Sequence, residues 1–137
     1  MKIEKTFWTE STFVNRSGEP VMRTKTEVIK DEKTGQEFPV DVPTDEPMTL
    51  EDMLTIALDS WQQNKEPKPS LKYDRYKCIK KIKEGDADWT IDELKVIKDA
   101  VDEHTFKSYI YGQIIDLIND KEQYLKVVKD GEKKENA

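Results

Sequence analysis

Residues 49–61 read TLEDMLTIALDSW, and this stretch has the clearest helical pattern in the chain. Thr49 is a residue type that caps helices, and Asp52 lies at the third helical position, where a capping box places an acidic side chain. Apolar residues recur with the three- and four-residue spacing of one helix face; they are Leu50, Met53, Leu54, Ala57, Leu58 and Trp61. The pattern predicts an amphipathic helix that begins at Thr49 and buries this face.

Two further helices are predicted downstream. Ser70 is the expected cap of the second, which ends at Gly85 because glycine readily adopts the left-handed conformation that terminates helices. Thr90 begins the third, with Glu93 in position for another capping box. Residues 65–69 contain two prolines, so we expect the connection before the second helix to be extended.

A fourth helix is predicted from about Phe106 to Asn119, and residues 124–128 either extend it or form a short packed tail. Each helix has an apolar face that the others must cover, so residues 48–128 predict a small four-helix domain. The expected core is Leu50, Met53, Leu54, Leu58, Trp61, Leu71, Cys78, Ile79, Ile82, Leu94, Ile97, Val101, Phe106, Ile110, Ile114, Leu117 and Ile118. Residues 129–137 are expected to form a flexible tail.

Residues 1–47 have a different character and predict a β-rich arm with a linker. β-branched and aromatic residues cluster at residues 6–14, 21–29 and 37–42, with turn-forming residues between the clusters. We therefore expect a three-stranded antiparallel arm built on a β-hairpin, with Pro39 confining the last strand to an edge. With the helical domain behind it, the arm makes the predicted fold class α+β.

The hairpin formed by the second and third predicted strands has apolar residues on both strands. We expect Val28 and Ile29 to face apolar residues of the opposite strand, namely Phe38 and Val40. Residues 43–47 contain two prolines and two acidic residues, which predict a stiff polar linker to the first helix.

The composition limits the size of the core and the class of protein. Of the 137 residues, 38% are charged and 35% hydrophobic, against about 25% and about 45–50% in typical globular chains. The net charge is −6 and does not favour a polyanion as partner. We identify no secretory signal and no apolar run long enough to span a membrane, so the expected location is the cytoplasm, without a membrane partner.

The residues that carry catalysis or bind metals are scarce. With one cysteine and one histidine, the chain has no internal disulfide and too few ligands for a structural zinc site. Cys78 lies on an apolar helix face and is interpreted as a small buried hydrophobe. His104 lies where the third helix ends, which indicates a capping or surface role. We therefore expect no catalytic residue, metal or cofactor, and no enzymatic activity.

The second predicted helix is rich in lysine, with Tyr73 and Tyr76 interleaved. Basic and aromatic residues on one helix are typical of contacts with phosphates and bases. The candidate nucleic-acid-binding residues are Lys72, Arg75, Lys80 and Lys83. The alternative is a solvated helix face whose lysines pair with acidic residues of the same domain.

The arm contains more large apolar residues than a short sheet can bury. The candidate partner-binding residues are Phe7, Trp8, Phe13, Met22 and Phe38. The alternative is that the first helix and its Trp61 cover them within the same chain.

Three segments carry a resemblance to other sequences: YDRYKCIKKI at residues 73–82, WTIDELKVIK at residues 89–98, and YGQIIDLI at residues 111–118. Together they resemble a group of small uncharacterised tailed-phage and prophage proteins. The resemblance covers residues 49–119 and brings no catalytic residues. It implies a viral assembly or host-interaction protein, located in the host cytoplasm or in the virion.

These observations predict a non-enzymatic protein–protein interaction or assembly protein, with a bacteriophage virion-assembly or host-interaction role. Its expected partner is another protein chain, either a second copy or a different protein, bound through the β arm. The alternative is a nucleic-acid-binding regulator that uses the lysine-rich second helix.

Overall fold

The computed structural model describes residues 2–61 and 67–135, with side chains described as far as Val127. In chain order the elements are β1 Lys2–Ile3, α1 Lys5–Glu10, β2 Met22–Lys30, β3 Glu37–Pro47, α2 Leu50–Leu58, α3 Pro69–Glu84, β4 Ala87–Asp88, α4 Ile91–Glu103 and α5 Ser108–Glu135. The strands form two antiparallel pairs, β1 with β4 and β2 with β3. The α+β class is therefore confirmed.

The helices pack around one hydrophobic core. α2 contacts α1, α3 and α4, while α4 also packs on α3 and α5. The largest fully buried side chains are Ile3, Trp8, Phe13, Leu50, Leu54, Ile82, Leu94, Ile97, Val101, Ile114 and Ile118. Most of these lie on the predicted helix faces. Trp61 was expected in the core, but it is 51% exposed and lies outside the core.

The predicted helix starts are confirmed where a threonine forms a capping box. Thr49 accepts a hydrogen bond from the backbone of Asp52 and Thr90 accepts one from the backbone of Glu93, and each acidic side chain bonds back to its threonine. The predicted end of α3 is also confirmed. Gly85 follows the last helical residue and has a φ of +106°, which favours glycine.

Two other helix boundaries differ from the prediction. α3 begins at Pro69, with Lys68 as the flanking residue and no side-chain cap, so Ser70 is not its cap. Proline fits the first helical turn because its missing N–H would have no partner there. α5 continues past Asn119 to Glu135, so residues 124–128 extend the helix. Residues 62–66, which include part of the predicted extended connection, lie outside the described residues.

The first predicted strand is wrong, because residues 5–10 form α1. Trp8 on this short helix is completely buried, and its ring lies 5.0 Å from that of Trp89, between ring centroids. Residues 12 and 14 contribute isolated bridges rather than a strand. Burying a large indole outweighs the weak β preference of the local sequence, so the sheet of the arm has two strands, β2 and β3, instead of three, and β1 pairs with β4.

The two long strands form a hairpin whose turn is closed by a hydrogen bond of 2.9 Å from Asp31 N to Gln36 O. Gly35 has a φ of +71° in this turn, which favours glycine. β3 runs as far as Pro47, so residues 43–47 belong to the strand and do not form a separate linker.

Candidate interaction surface

Hydrogen bonds close the base of the hairpin and connect it to the segment after α1 and to α2. Val21 N donates to Phe13 O at 2.9 Å, and Met48 N donates to Val21 O at 2.8 Å. Arg23 Nε donates to Asp52 Oδ2 at 2.8 Å. Because Asp52 also forms the capping box of α2, Arg23 connects the hairpin to the first turn of that helix.

Beyond this base the hairpin extends away from the core. Within the described ranges, β2 and β3 make extensive contact with each other, whereas their contacts with other elements are few and include Arg23 with Asp52 of α2. β2 has 9 residues, and a strand of that length spans about 30 Å. Val21 and Met48, which flank the two strands, pack against the core, whereas the apolar residues farther along the hairpin do not.

One face of the hairpin carries a row of apolar side chains, together with Lys25 and Glu27, which form an ion pair of 3.1 Å. Ile29 pairs with Phe38, and directly opposite residues of antiparallel strands place their side chains on the same face. Val40 and Val42 follow Phe38 at alternate positions of β3 and therefore share that face. Phe38 and Ile29 are 45% and 41% exposed. We call these four residues, Ile29, Phe38, Val40 and Val42, the apolar face.

The opposite face is mostly polar. Thr26 Oγ1 donates a hydrogen bond of 3.0 Å to Asp41 Oδ1 on this side. Val28 pairs with Pro39 and is 67% exposed. Val28 therefore lies on the face opposite Ile29, which corrects the expectation that both would face Phe38 and Val40.

The candidate partner-binding residues of the arm do not form one surface. Trp8 and Phe13 are buried in the core, so the prediction that they contact a partner is wrong and they are covered within the chain. Phe7 is half-buried, with Lys121 Nζ at 4.9 Å from its ring centroid. Met22 lies at the base of the hairpin, and Phe38 alone of the five lies on the apolar face.

Comparisons with protein-family models, with curated proteins and with solved structures found no match.

Three residues of the apolar face were absent from the candidate residues, namely Ile29, Val40 and Val42. The alternation of Phe38, Val40 and Val42 is visible in the sequence and indicates one apolar side of a strand. What the sequence does not show is that the helical domain leaves this side uncovered.

The basic residues of α3 mostly pair with acidic residues. Arg75 is buried, with 3% of its surface exposed. Its Nη2 donates a hydrogen bond to Glu103 Oε2 at 2.6 Å. Lys81 Nζ lies 2.7 Å from Glu93 Oε2. Arg75 is therefore a structural residue, which corrects its assignment to a nucleic-acid surface.

The remaining candidates on α3 are exposed or lie against aromatic rings. Lys80 Nζ is 3.8 Å from Glu84 Oε1 in the next turn. Lys72 Nζ lies 5.1 Å from the ring centroid of Trp61. Lys83 is exposed near the end of the helix. These three lysines do not form a single uncompensated basic patch, so the arrangement agrees better with a solvated helix face.

Cys78 and His104 occupy structural positions. Burial raises the pKa of the Cys78 thiol to about 12, which keeps the sulfur protonated and poorly nucleophilic. His104 Nδ1 lies 3.0 Å from Ser60 Oγ, and the His104 ring packs on Phe106 with 4.3 Å between centroids.

Within the described part of the chain, no group of three or more histidine, cysteine, aspartate or glutamate side chains is arranged to hold a metal ion. Among the helices described, none is long and apolar enough to cross a membrane.

Proposed function

We propose that the chain is a non-enzymatic protein–protein interaction or assembly protein, and that its hairpin binds another protein chain. The observation that carries the proposal is the apolar face, which projects from the domain and packs on none of the core. An isolated two-stranded hairpin is marginally stable in water, and a partner that covers its apolar face would stabilise it.

The helical domain serves as a rigid support in this proposal. Arg23 bridges Asp52 at 2.8 Å and Glu46 at 2.9 Å, which holds the root of the hairpin against α2. A fixed root lowers the entropy that is lost when the strands are ordered by a partner. The resemblance of residues 49–119 to tailed-phage and prophage proteins supports a bacteriophage virion-assembly or host-interaction role.

The test compares the full chain with a variant in which a two-residue Asn-Gly turn replaces residues 26–41. Lys25 pairs with Val42, whose N–H can close the turn, so such a turn can join the remaining strands. Both proteins are used for affinity capture from the native source after chemical cross-linking, with a Phe38→Ser and Val40→Ser double variant alongside. We expect the shortened chain and the double variant to lose the partners that the full chain captures.

Val28→Ser is the matched control, because it removes an exposed valine from the opposite face of the same hairpin. It is expected to retain the partners. If the shortened chain keeps every partner of the full chain, the hairpin is not the binding surface and the proposal fails.

Nucleic-acid binding through α3 is a less supported alternative, because Arg75 is buried and forms an ion pair with Glu103. Its direct test is retention of the full chain on DNA and RNA columns at low salt. Retention that falls steeply with salt, and that a Lys72→Glu, Lys80→Glu and Lys83→Glu variant abolishes, would favour this alternative.

A further inference from the structure

The two outer edges of the hairpin differ in their hydrogen-bonding capacity. Asp31 N donates to Gln36 O, so the pairing of β2 with β3 ends at the turn in a hydrogen-bonded pair. Hydrogen-bonded and non-hydrogen-bonded pairs alternate in antiparallel strands, and no register shift occurs between residues 24 and 30. The backbone N–H and C=O groups of alternate residues therefore point outward from the hairpin. On β2 these residues are Thr24, Thr26, Val28 and Lys30.

The outer edge of β3 is blocked by proline. Its outward-facing positions are Glu37, Pro39, Asp41 and Pro43. Pro39 and Pro43 have no N–H, so every second donor is missing from this edge. Prolines at such positions prevent a further strand from pairing.

The outer edge of β2 has no proline and remains free to pair. β2 has β3 as its one neighbour in the sheet among the described strands. Thr24, Thr26 and Val28 are β-branched residues, which favour extended pairing. A partner strand that joins the hairpin therefore has one suitable edge.

The sequence of β2 is complementary to itself about its centre. Thr26 is the middle residue of Met22–Lys30, and an antiparallel pairing of two copies about a two-fold axis at Thr26 aligns both strands over their full length. In this register, Thr24 of one copy lies opposite Val28 of the other, and both have outward-facing N–H groups. Lys25 of one copy lies opposite Glu27 of the other, and the symmetry repeats this pair.

The charges of Lys25 and Glu27 specify the register. They fall in a non-hydrogen-bonded pair, where opposite side chains come closest. Moving the two-fold axis by one residue to Lys25 places Lys25 opposite Lys25. Moving it to Glu27 places Glu27 opposite Glu27. Like charges directly opposite are unfavourable. Arg23 would face Glu27 or Asp31 in these shifted registers, but its guanidinium is already paired with Asp52 and Glu46, so the axis at Thr26 is preferred.

We propose that β2 pairs with β2 of a second copy about a two-fold axis at Thr26, forming a four-stranded antiparallel sheet in the order β3, β2, β2, β3. The inference rests on the proposed function, which makes the hairpin the interaction element. The second copy pairs with the β2 edge and leaves the apolar face open to the partner described above. Because the axis is perpendicular to the sheet, the apolar faces of both copies lie on the same side. Ile29 of each copy then lies opposite Arg23 of the other, whose aliphatic stem can cover it.

The proposal is tested by charge reversal in the full chain, with sedimentation equilibrium measuring the dimer dissociation constant. Lys25→Glu places two pairs of glutamates opposite each other, and Glu27→Lys places two pairs of lysines opposite each other. We expect each single variant to weaken the dimer by about tenfold or more. The combined Lys25→Glu and Glu27→Lys variant exchanges the two charges and is expected to restore dimerisation.

A second pair of variants tests which edge is used. Thr26→Pro removes an outward N–H of β2, and Asp41→Pro removes an outward N–H of β3. Neither removes a backbone hydrogen bond between β2 and β3, and both lose the same Thr26–Asp41 side-chain hydrogen bond. We expect Thr26→Pro to abolish the dimer and Asp41→Pro to retain it. Circular dichroism and thermal unfolding of each variant establish that the helical domain is intact.

Two results would overturn the inference. One is a chain that stays monomeric up to millimolar concentration; if hairpin-dependent capture of a different protein persists, the proposed function still stands. The other is a dimer whose dissociation constant does not respond to the charge reversals or is not restored by the charge exchange.

Discussion

Arg75 lies inside the domain and connects α3 to two neighbouring segments. Its Nη1 donates to Ser60 O at 3.1 Å, and its Nη2 donates to Glu103 Oε2 at 2.6 Å. We expect Arg75→Ala to lower the free energy of unfolding by about 2 kcal/mol, because charged hydrogen bonds and the packing of the buried stem are lost. Urea unfolding measures the change.

Lys83→Ala is the control for Arg75→Ala, since it removes an exposed basic residue from the same helix. Its expected effect is within about 0.5 kcal/mol of zero. Equal effects of the two substitutions would show that the burial of Arg75 does not contribute to stability.

Cys78 is expected to be unreactive in the folded protein. The sulfur is buried, its pKa is raised to about 12 by burial, and Sγ lies 3.8 Å from Glu93 O. A disulfide reagent at pH 8 should label Cys78 in urea but leave the native protein unlabelled over the same time. Ser17→Cys, in an exposed turn, supplies the control thiol that reacts in both conditions. Rapid native labelling of Cys78 would contradict its burial.

Glu93 makes stability depend on acid pH. Burial opposes ionisation of this carboxyl, but hydrogen bonds from Lys81 and from the Thr90 cap outweigh it, so the pKa of Glu93 lies below its ordinary value. A lowered pKa in the folded state adds stability above the unfolded pKa, about 4.3, and this stability is lost as the pH falls through the folded pKa.

We therefore expect Glu93→Gln to be less stable than the parent chain at pH 7 and to lose less stability between pH 6 and pH 3. Urea unfolding across this pH range measures the effect. Glu32→Gln, which removes an exposed carboxyl from the hairpin turn, is the control variant. A Glu93→Gln variant with the same pH dependence as the parent chain would rule out this contribution.

At the scale of the elements, helix boundaries were the most predictable feature. The boxes at Thr49 and Thr90 and the terminating Gly85 follow from interactions within about four residues, so the local sequence contains them. The conformation of residues 6–14 could not be predicted from the local sequence. Trp8 meets Trp89 across a long stretch of sequence, and this contact favours helix over strand.

The hairpin is an element that the core does not require. We expect replacement of residues 26–41 by an Asn-Gly turn to change the free energy of unfolding of the helical domain by less than about 1 kcal/mol, because none of the replaced side chains packs on the core. Thermal and urea unfolding measure this value.

Replacement of Trp8 by alanine is the contrasting control, because the indole is fully buried. It should cost about 3–5 kcal/mol. A comparable loss on shortening the hairpin would mean that the strands support the core, which would also weaken the argument that they are available to a partner.

At the scale of the whole molecule, charge and apolar surface are distributed unevenly. The helical domain buries most of its apolar faces and pairs many of its charges, as in Lys98 with Glu122 at 3.1 Å. It also exposes Trp61 and Tyr73, but a lysine of α3 lies over each of these rings. The exposed apolar residues of the hairpin instead lie on one face of a sheet that packs on none of the core, which is why the binding surface is proposed there.

Local sequence was sufficient to predict the α+β class, the helix starts at Thr49 and Thr90, the end of α3 at Gly85 and most of the buried helix faces. Helix caps and side-chain periodicity depend on neighbours within one or two turns, so local sequence is sufficient. Tertiary structure decided that Trp8 and Arg75 are buried and that the apolar face is uncovered. Those outcomes depend on which distant segments of the chain contact each other, and local patterns in the sequence do not show these contacts.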